Sequence, residues 1–223
     1  WELKGTNCLL CIWSRSFVET LSRLLTEYRV AHLPHVLQER DIDQILDDSF
    51  LHTLHLMDLQ GLRGLSTLAL AMISGNYLQM ITIGDLKIYL IRDGKIIKQN
   101  EEQVSGLCPQ QIGTQTLLVL PLEMASIEKM RIQDGDIVIV CLDGISDNLY
   151  EWELIQIVNE FSGRPDGMKK IQRKILLQAK EVAFDDYAPT PYSDKLDQLH
   201  LNSRASGGKV DDMTIVVAQV KTN

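Results

Sequence analysis

Gly135-Asp136-Ile137-Val138-Ile139-Val140-Cys141-Leu142-Asp143-Gly144-Ile145-Ser146-Asp147-Asn148 is the stretch on which the fold of this chain turns. Within it, residues 137–142 form an unbroken apolar run rich in β-branched side chains, closed by turn-formers at both ends. That pattern predicts a strand buried on both faces. Asp143 falls at the tip of the strand, where a carboxylate is held rigidly. Gly144 lets the backbone turn sharply and lets whatever Asp143 binds come close. An ordinary Asp-Gly turn accounts for the same two residues.

A similar arrangement recurs near the end of the sequence. Val210-Asp211-Asp212-Met213-Thr214 leads into the apolar run Ile215-Val216-Val217-Ala218, so paired carboxylates again stand at the mouth of a buried strand. Carboxylates brought together without a cation repel, so such a cluster either protonates or binds a hard divalent ion such as magnesium or manganese. Two strand-end turns need no metal, and spacing alone leaves both explanations open.

Outward from these two stretches the pattern alternates between helix and strand. Phe17, Leu21, Leu24, Leu25 and Tyr28 recur at helical spacing, with Ser16 as N-cap and Glu19 as its capping-box partner. A second helix is predicted from Asp41, capped with Gln44, its buried stripe being Ile42, Ile45, Leu46, Phe50, Leu54 and Met57. Strands follow at 67–73 and 77–83 around Ser74-Gly75-Asn76, then at 87–92 and 95–99 around Asp93-Gly94, which together read as a β-meander. Residues 100–116 read as loop, 117–120 and 127–132 as strands. After Asn148, helices are marked by Trp152, Ile155, Val158 and Phe161, then by Met168, Ile171, Ile175, Ala179 and Val182. Residues 185–208 read as a long polar loop, a length that tends to be functional.

Composition excludes several function classes. Of 223 residues, 45% are hydrophobic, enough for a full core, and one domain spanning 1–223 is expected. Thirty acidic against 22 basic side chains give a net charge of −8, which argues against nucleic acid or an anionic membrane as main partner. No apolar run is long enough for a membrane span. The four cysteines are too irregularly spaced for a disulfide scaffold, and Cys108 and Cys141 fall where small buried thiols are common. Cys8-Leu9-Leu10-Cys11 with His32 and His35 could form a zinc site, against a short apolar strand as the simpler explanation. His52 and His55, three apart on the second helix, lack a matching carboxylate or cysteine. The chain begins at Trp1 rather than methionine, so a targeting segment is not excluded.

Three motifs in this order resemble the metal-dependent protein serine/threonine phosphatases of type 2C, most closely their mitochondrial branch. They are Gly84-Asp85 before an apolar strand, with Gly64-Leu65-Ser66-Thr67 upstream; Gly135-Asp136 through Asp143-Gly144-Ile145-Ser146-Asp147-Asn148; and Gly208-Lys209-Val210-Asp211-Asp212-Met213-Thr214. The similarity runs over roughly residues 16–221. It implies an α+β fold, a four-layer α-β-β-α sandwich of two antiparallel sheets flanked by helices, here with the N-terminal strands missing or shortened. It implies two magnesium or manganese ions sharing a water that attacks phosphoserine or phosphothreonine. By motif position, Asp143 and Asp211 match metal ligands, the Gly144 backbone is a further candidate, and Asp147 and Asp212 match supporting positions.

The departures from the family pattern set the functional expectation. Residues 1–15, an atypical N-terminal segment, contain Glu2 and Gly5 but no Asp-Gly-x-Gly-Gly, and no aspartate occurs before Asp41. Gly-Asp-Ser is replaced by Gly84-Asp85-Leu86. Without the carboxylate that bridges both ions, Asp143 and Asp211 would hold at most one magnesium or manganese ion, weakly. The expectation is therefore a catalytically inactive phosphatase-fold protein, a pseudophosphatase acting as a binding or assembly subunit toward other proteins and residing in mitochondria. The alternatives are an active phosphatase whose Asp-Gly motif lies outside these residues, and a module that binds phosphoproteins or a metal without turnover.

Overall fold

The computed structural model describes residues 9–31, 39–114, 119–199 and 207–221. In chain order its elements are α1 (Leu9–Ala31), α2 (Glu39–Leu59), β1 (Leu65–Ser66), β2 (Leu68–Ser74), β3 (Tyr77–Ile83), β4 (Lys87–Arg92), β5 (Lys95–Gln99), β6 (Val104–Ser105), β7 (Cys108–Pro109) and β8 (Ile112–Gly113). Then follow α3 (Pro121–Met124), β9 (Ser126–Arg131), β10 (Ile137–Cys141), α4 (Asp143–Ser146), α5 (Glu151–Phe161), α6 (Gly167–Ala183), α7 (Pro191–Gln198) and β11 (Ile215–Gln219). The fold is α+β with antiparallel sheets flanked by helices, as expected. The chain divides into two compact units, the described parts of 1–84 with 109–129 and of 85–108 with 130–223.

In the first unit, α1 and α2 pack on the β2–β3 hairpin. All six apolar positions assigned to the second helix are buried, and Phe50 meets Phe17 edge to face at 6.4 Å. Burying these side chains removes the apolar stripe from water, which is what holds two amphipathic helices on a sheet. The hairpin register runs from Leu68 opposite Ile83 to Ser74 opposite Tyr77, so Gly75-Asn76 is a two-residue turn.

The second unit carries the opening stretch. Its sheet has the order β11-β10-β4-β5, all antiparallel, so β10 lies between two neighbours. Val140 pairs with Ile88 on one side and Val216 on the other, and Ile139 is fully buried. On this sheet α5 and α6 lay Leu154, Ile157, Ile171, Ile175 and Ala179, forming one apolar core with Ile139 and Ile215. Asp136, just before β10, is buried and accepts from Arg92 Nε and Nη2 at 2.8 Å each and from the Gln133 backbone N–H at 2.8 Å. The Gly-Asp pair ahead of the strand is thus a clamp between β10 and the end of β4.

Several expectations are corrected. The first helix begins at Leu9 rather than at a Ser16 cap, because no glycine or proline interrupts 9–16, so Leu9–Cys11 is helical and not strand. Cys8, His32 and His35 lie outside the described residues. Gln44 does not cap α2, which starts at Glu39; its side chain donates to Asp48 one turn on, at 2.9 Å. The meander is two hairpins in different sheets: β3 lies between β2 and β9, β4 between β10 and β5. Strands this apolar are each buried by neighbours on both edges, and the break falls at Gly84, whose φ of +103° suits only glycine. Residues 100–114 contain the two-residue strands β6, β7 and β8. Of the expected strand 117–120, residues 117 and 118 lie outside the described residues; at Leu120 the chain enters α3, since Pro121 is preset for a first helical turn. Trp152 is exposed; the buried face of α5 is Leu154, Ile157 and Val158. Cys141 is buried but Cys108 is exposed. His52 and His55 are both exposed. The long loop holds α7, capped by Thr190, whose Oγ1 accepts from the Ser193 N–H at 3.1 Å, with Pro191 at the first position.

Candidate metal centre

Asp143 does not end β10 in a simple turn. Leu142 is the N-cap of a single helical turn, α4, and Asp143 is its first residue, with Oδ1 accepting from the Gly144 N–H at 2.9 Å. Gly144 is required for space rather than for an unusual φ: a Cβ there would collide with the Asp212 carbonyl oxygen. The two aspartate-bearing stretches are therefore packed backbone to backbone. Asn148, 1% exposed, fastens them: its Oδ1 accepts from the Lys209 N–H at 2.8 Å, and its Nδ2 donates to Lys209 O at 2.8 Å and to Gly144 O at 2.9 Å.

That fastening brings three carboxylates to one point. Lys209 Nζ lies 2.6 Å from Asp143 Oδ2, 2.8 Å from Asp147 Oδ2 and 3.0 Å from Asp211 Oδ2. Asp147 is buried and uses its other oxygen for Lys195 Nζ at 2.8 Å, and Lys195 reaches Glu102 Oε2 at 2.9 Å. Lys87 closes the network on Glu102 Oε1 at 3.3 Å. With Asp85 on the wall of the adjoining cavity, five carboxylates face three ammonium groups, so the site keeps an excess of negative charge. Burial alone would push the Lys209 pKa down, but its hydrogen bonds to Asp143 and Asp147 outweigh that and raise it. Burial and the Asp143 charge together push the Asp85 carboxyl up.

A donor set of three carboxylates from two chain segments, focused on one cationic group, suits a small hard cation. The ammonium of Lys209 stands where such an ion would sit, and three oxygens already surround that point. The residues therefore supply the charged oxygens of one divalent ion once the ammonium has left, although among the described residues no group of three or more His, Cys, Asp or Glu side chains is already spaced to hold one.

Comparison with known proteins places the chain in a family. No family model matches the chain. It is 32% identical over 158 residues to "Probable protein phosphatase 2C 62" of Arabidopsis thaliana, covering 71% of this chain and 21% of that protein. It is 26% identical over 152 residues to "Protein phosphatase PTC7 homolog fig" of Drosophila mojavensis, covering 64% and 48%. The chain is protein phosphatase 2C-like. Its matched stretch spans about a fifth of the Arabidopsis protein and about half of the Drosophila one. Among solved structures, the photosystem II phosphatase PBCP shares the fold with a TM-score of 0.77 at 22% identity, over 94% of this chain and 79% of that one. The catalytic domain of the phosphatase PstP in complex with 2 manganese ions shares it with a TM-score of 0.60 at 17% identity, over 76% and 74%.

Within this site the structure brings Asp143 and Asp211 onto the same ammonium, and Asp147 with them. Asp212 is exposed and contributes its carbonyl to the packing at Gly144. The Gly144 carbonyl accepts from Asn148. Sequence reasoning missed Lys209, Lys195 and Asn148. Lys209 and Asn148 lay inside quoted motifs, and a basic residue two places before Asp211-Asp212 was the available signal. Lys195 depends on α7, whose Thr190-Pro191 start is a readable helix entry.

Proposed function

We propose that this chain supplies the Asp143–Asp147–Asp211 part of a divalent-cation site of a protein serine/threonine phosphatase, and that these 223 residues by themselves hold one magnesium or manganese ion without turning over a phosphoester. The observation that carries this is the convergence of the three carboxylates on Lys209 Nζ within 3.0 Å. A bound divalent ion supplies positive charge that lowers the pKa of water and offsets charge on phosphoryl oxygens. The protein residues hold that position: Asn148 and Gly144 lock the two aspartate segments together, and Lys195 neutralises the far oxygen of Asp147. No aspartate precedes Asp41, so the bridging carboxylate of the family motif is not supplied from that side. In this form the domain binds phosphoproteins or assembles with other proteins; mitochondria are the compartment that the resemblance implies.

One observation favours a second possibility, an active phosphatase. The relatives bear phosphatase names and extend well beyond the stretch they share with this chain. A carboxylate from residues outside these 223 would then complete the site. Hydrolysis of a phosphothreonine peptide by the chain as given, with manganese, separates the two. No turnover is expected; metal-dependent turnover that vanishes in Asp143→Asn would establish the active form.

A further inference from the structure

Lys209 is placed to be more than a neighbour of the carboxylates. Its backbone is pinned on both sides, N–H and C=O each 2.8 Å from the Asn148 side chain, so only the side chain is free to move. Its Nζ lies within 3.0 Å of an oxygen of each of the three aspartates, and therefore at the point a small cation must take to touch all three. The ring of Tyr192 stands 5.6 Å from the same Nζ, within the range in which an aromatic face stabilises an ammonium. Lys209 and Tyr192 both line a cavity of about 350 Å³ with Asp85, Asp147, Lys195 and Leu199. An ammonium leaving the carboxylates therefore has room to go and an aromatic surface to rest on.

We propose that Lys209 is a resident cation of this site: it neutralises Asp143, Asp147 and Asp211 when no divalent ion is present, and an entering ion must displace its ammonium toward Tyr192. Lys209 then sets the metal affinity, because each binding event breaks three charge-assisted hydrogen bonds before new ligand bonds form. It also explains how three carboxylates stay together in the cation-free fold, where mutual repulsion would otherwise push them apart. The inference rests on the cation site proposed above and concerns what fills it first.

The test compares the wild-type chain with Lys209→Met, which keeps the length of the stem and removes the charge. Isothermal titration with manganese chloride is expected to show the variant binding about tenfold tighter or more, a difference of about 1.4 kcal/mol. In chelator the variant is expected to melt below the wild type, and saturating manganese is expected to close that gap. A second measurement needs no variant: acylation of Lys209 in the wild type, read by mass spectrometry against the exposed Lys95, is expected to rise when manganese is added. Equal manganese affinity of the two proteins, with Lys209 acylation unchanged by the ion, would overturn the displacement and leave the cation site standing. Manganese binding to neither protein would overturn both.

Discussion

Replacing Asn148 by alanine tests whether one buried amide holds the site together. The side chain makes three hydrogen bonds, two with the Lys209 backbone and one with Gly144 O, all between 2.8 and 2.9 Å. Each is worth about 1 kcal/mol net, so about 3 kcal/mol is at stake from the bonds alone. Lys209 is only half-buried, so water can reach part of what is vacated, and the estimate stays near ~3 kcal/mol rather than rising by the full penalty of orphaned groups. With a urea dependence of roughly 2–3 kcal/mol per molar, the midpoint for the unit containing β10 should fall by about 1 M. Asn148→Asp is the informative companion. It retains the acceptor for the Lys209 N–H but turns two donor contacts into oxygen facing oxygen, so it should also destabilise. Urea denaturation followed by circular dichroism reads both. An Asn148→Ala midpoint within about 0.2 M of wild type would refute the idea that this amide joins the two aspartate segments, since that is a loss of only ~0.5 kcal/mol.

Other outcomes follow from particular contacts. Gly144→Ala places a Cβ against the Asp212 carbonyl and should lower stability by about 1–3 kcal/mol, seen as a lower melting temperature, and weaken manganese binding with it. Burial pushes the Cys141 thiol up to about 12, so iodoacetamide at pH 8 should modify exposed Cys108 in the native protein and reach Cys141 only in denaturant. Burial disfavours the Asp136 carboxylate, but Arg92 and the Gln133 N–H prevail and hold its pKa below the ordinary range. Its stabilising effect is therefore fully present above the unfolded value of about 3.9 and lost as the pH falls through the lower folded value. Stability curves between pH 5 and 2 should show an acid limb that flattens in Asp136→Asn.

The legible parts of the sequence were those where one physical signal dominated. β3, β4 and β5 were placed to the residue, because apolar runs bounded by Gly-Asn, Gly-Asp and Asp-Gly leave little freedom in where a strand ends. The buried stripe of α2 was legible for the same reason, its six positions recurring at helical spacing and all buried, while Leu51 and Leu59 fall off the stripe and are exposed. Sheet membership was not, since nothing local in 77–99 tells a hairpin whether its neighbour in sequence is also its neighbour in space. Trp152 misled because aromatic character was taken for burial, while the ring stacks on Tyr150 at the surface with centroids 6.3 Å apart. In the site, Asp143 and Asp211 were legible from their strand-end positions. The ammonium groups that meet them were harder to read: Lys209 stands two places before Asp211, but nothing local marks Asp143 and Asp147 as its other partners, or Glu102 and Asp147 as those of Lys195.

Asp143, Asp147 and Asp211 are proposed to form a place for a divalent cation. Calorimetric titration of the wild-type chain with manganese at neutral pH tests it most directly, alongside the paired variant Asp143→Asn with Asp211→Asn. Binding of about one ion per chain, lost in the paired variant, is the predicted result, since a hard cation needs charged oxygen ligands that amides supply poorly. No heat at millimolar manganese, or the same heat with both aspartates replaced, would contradict it.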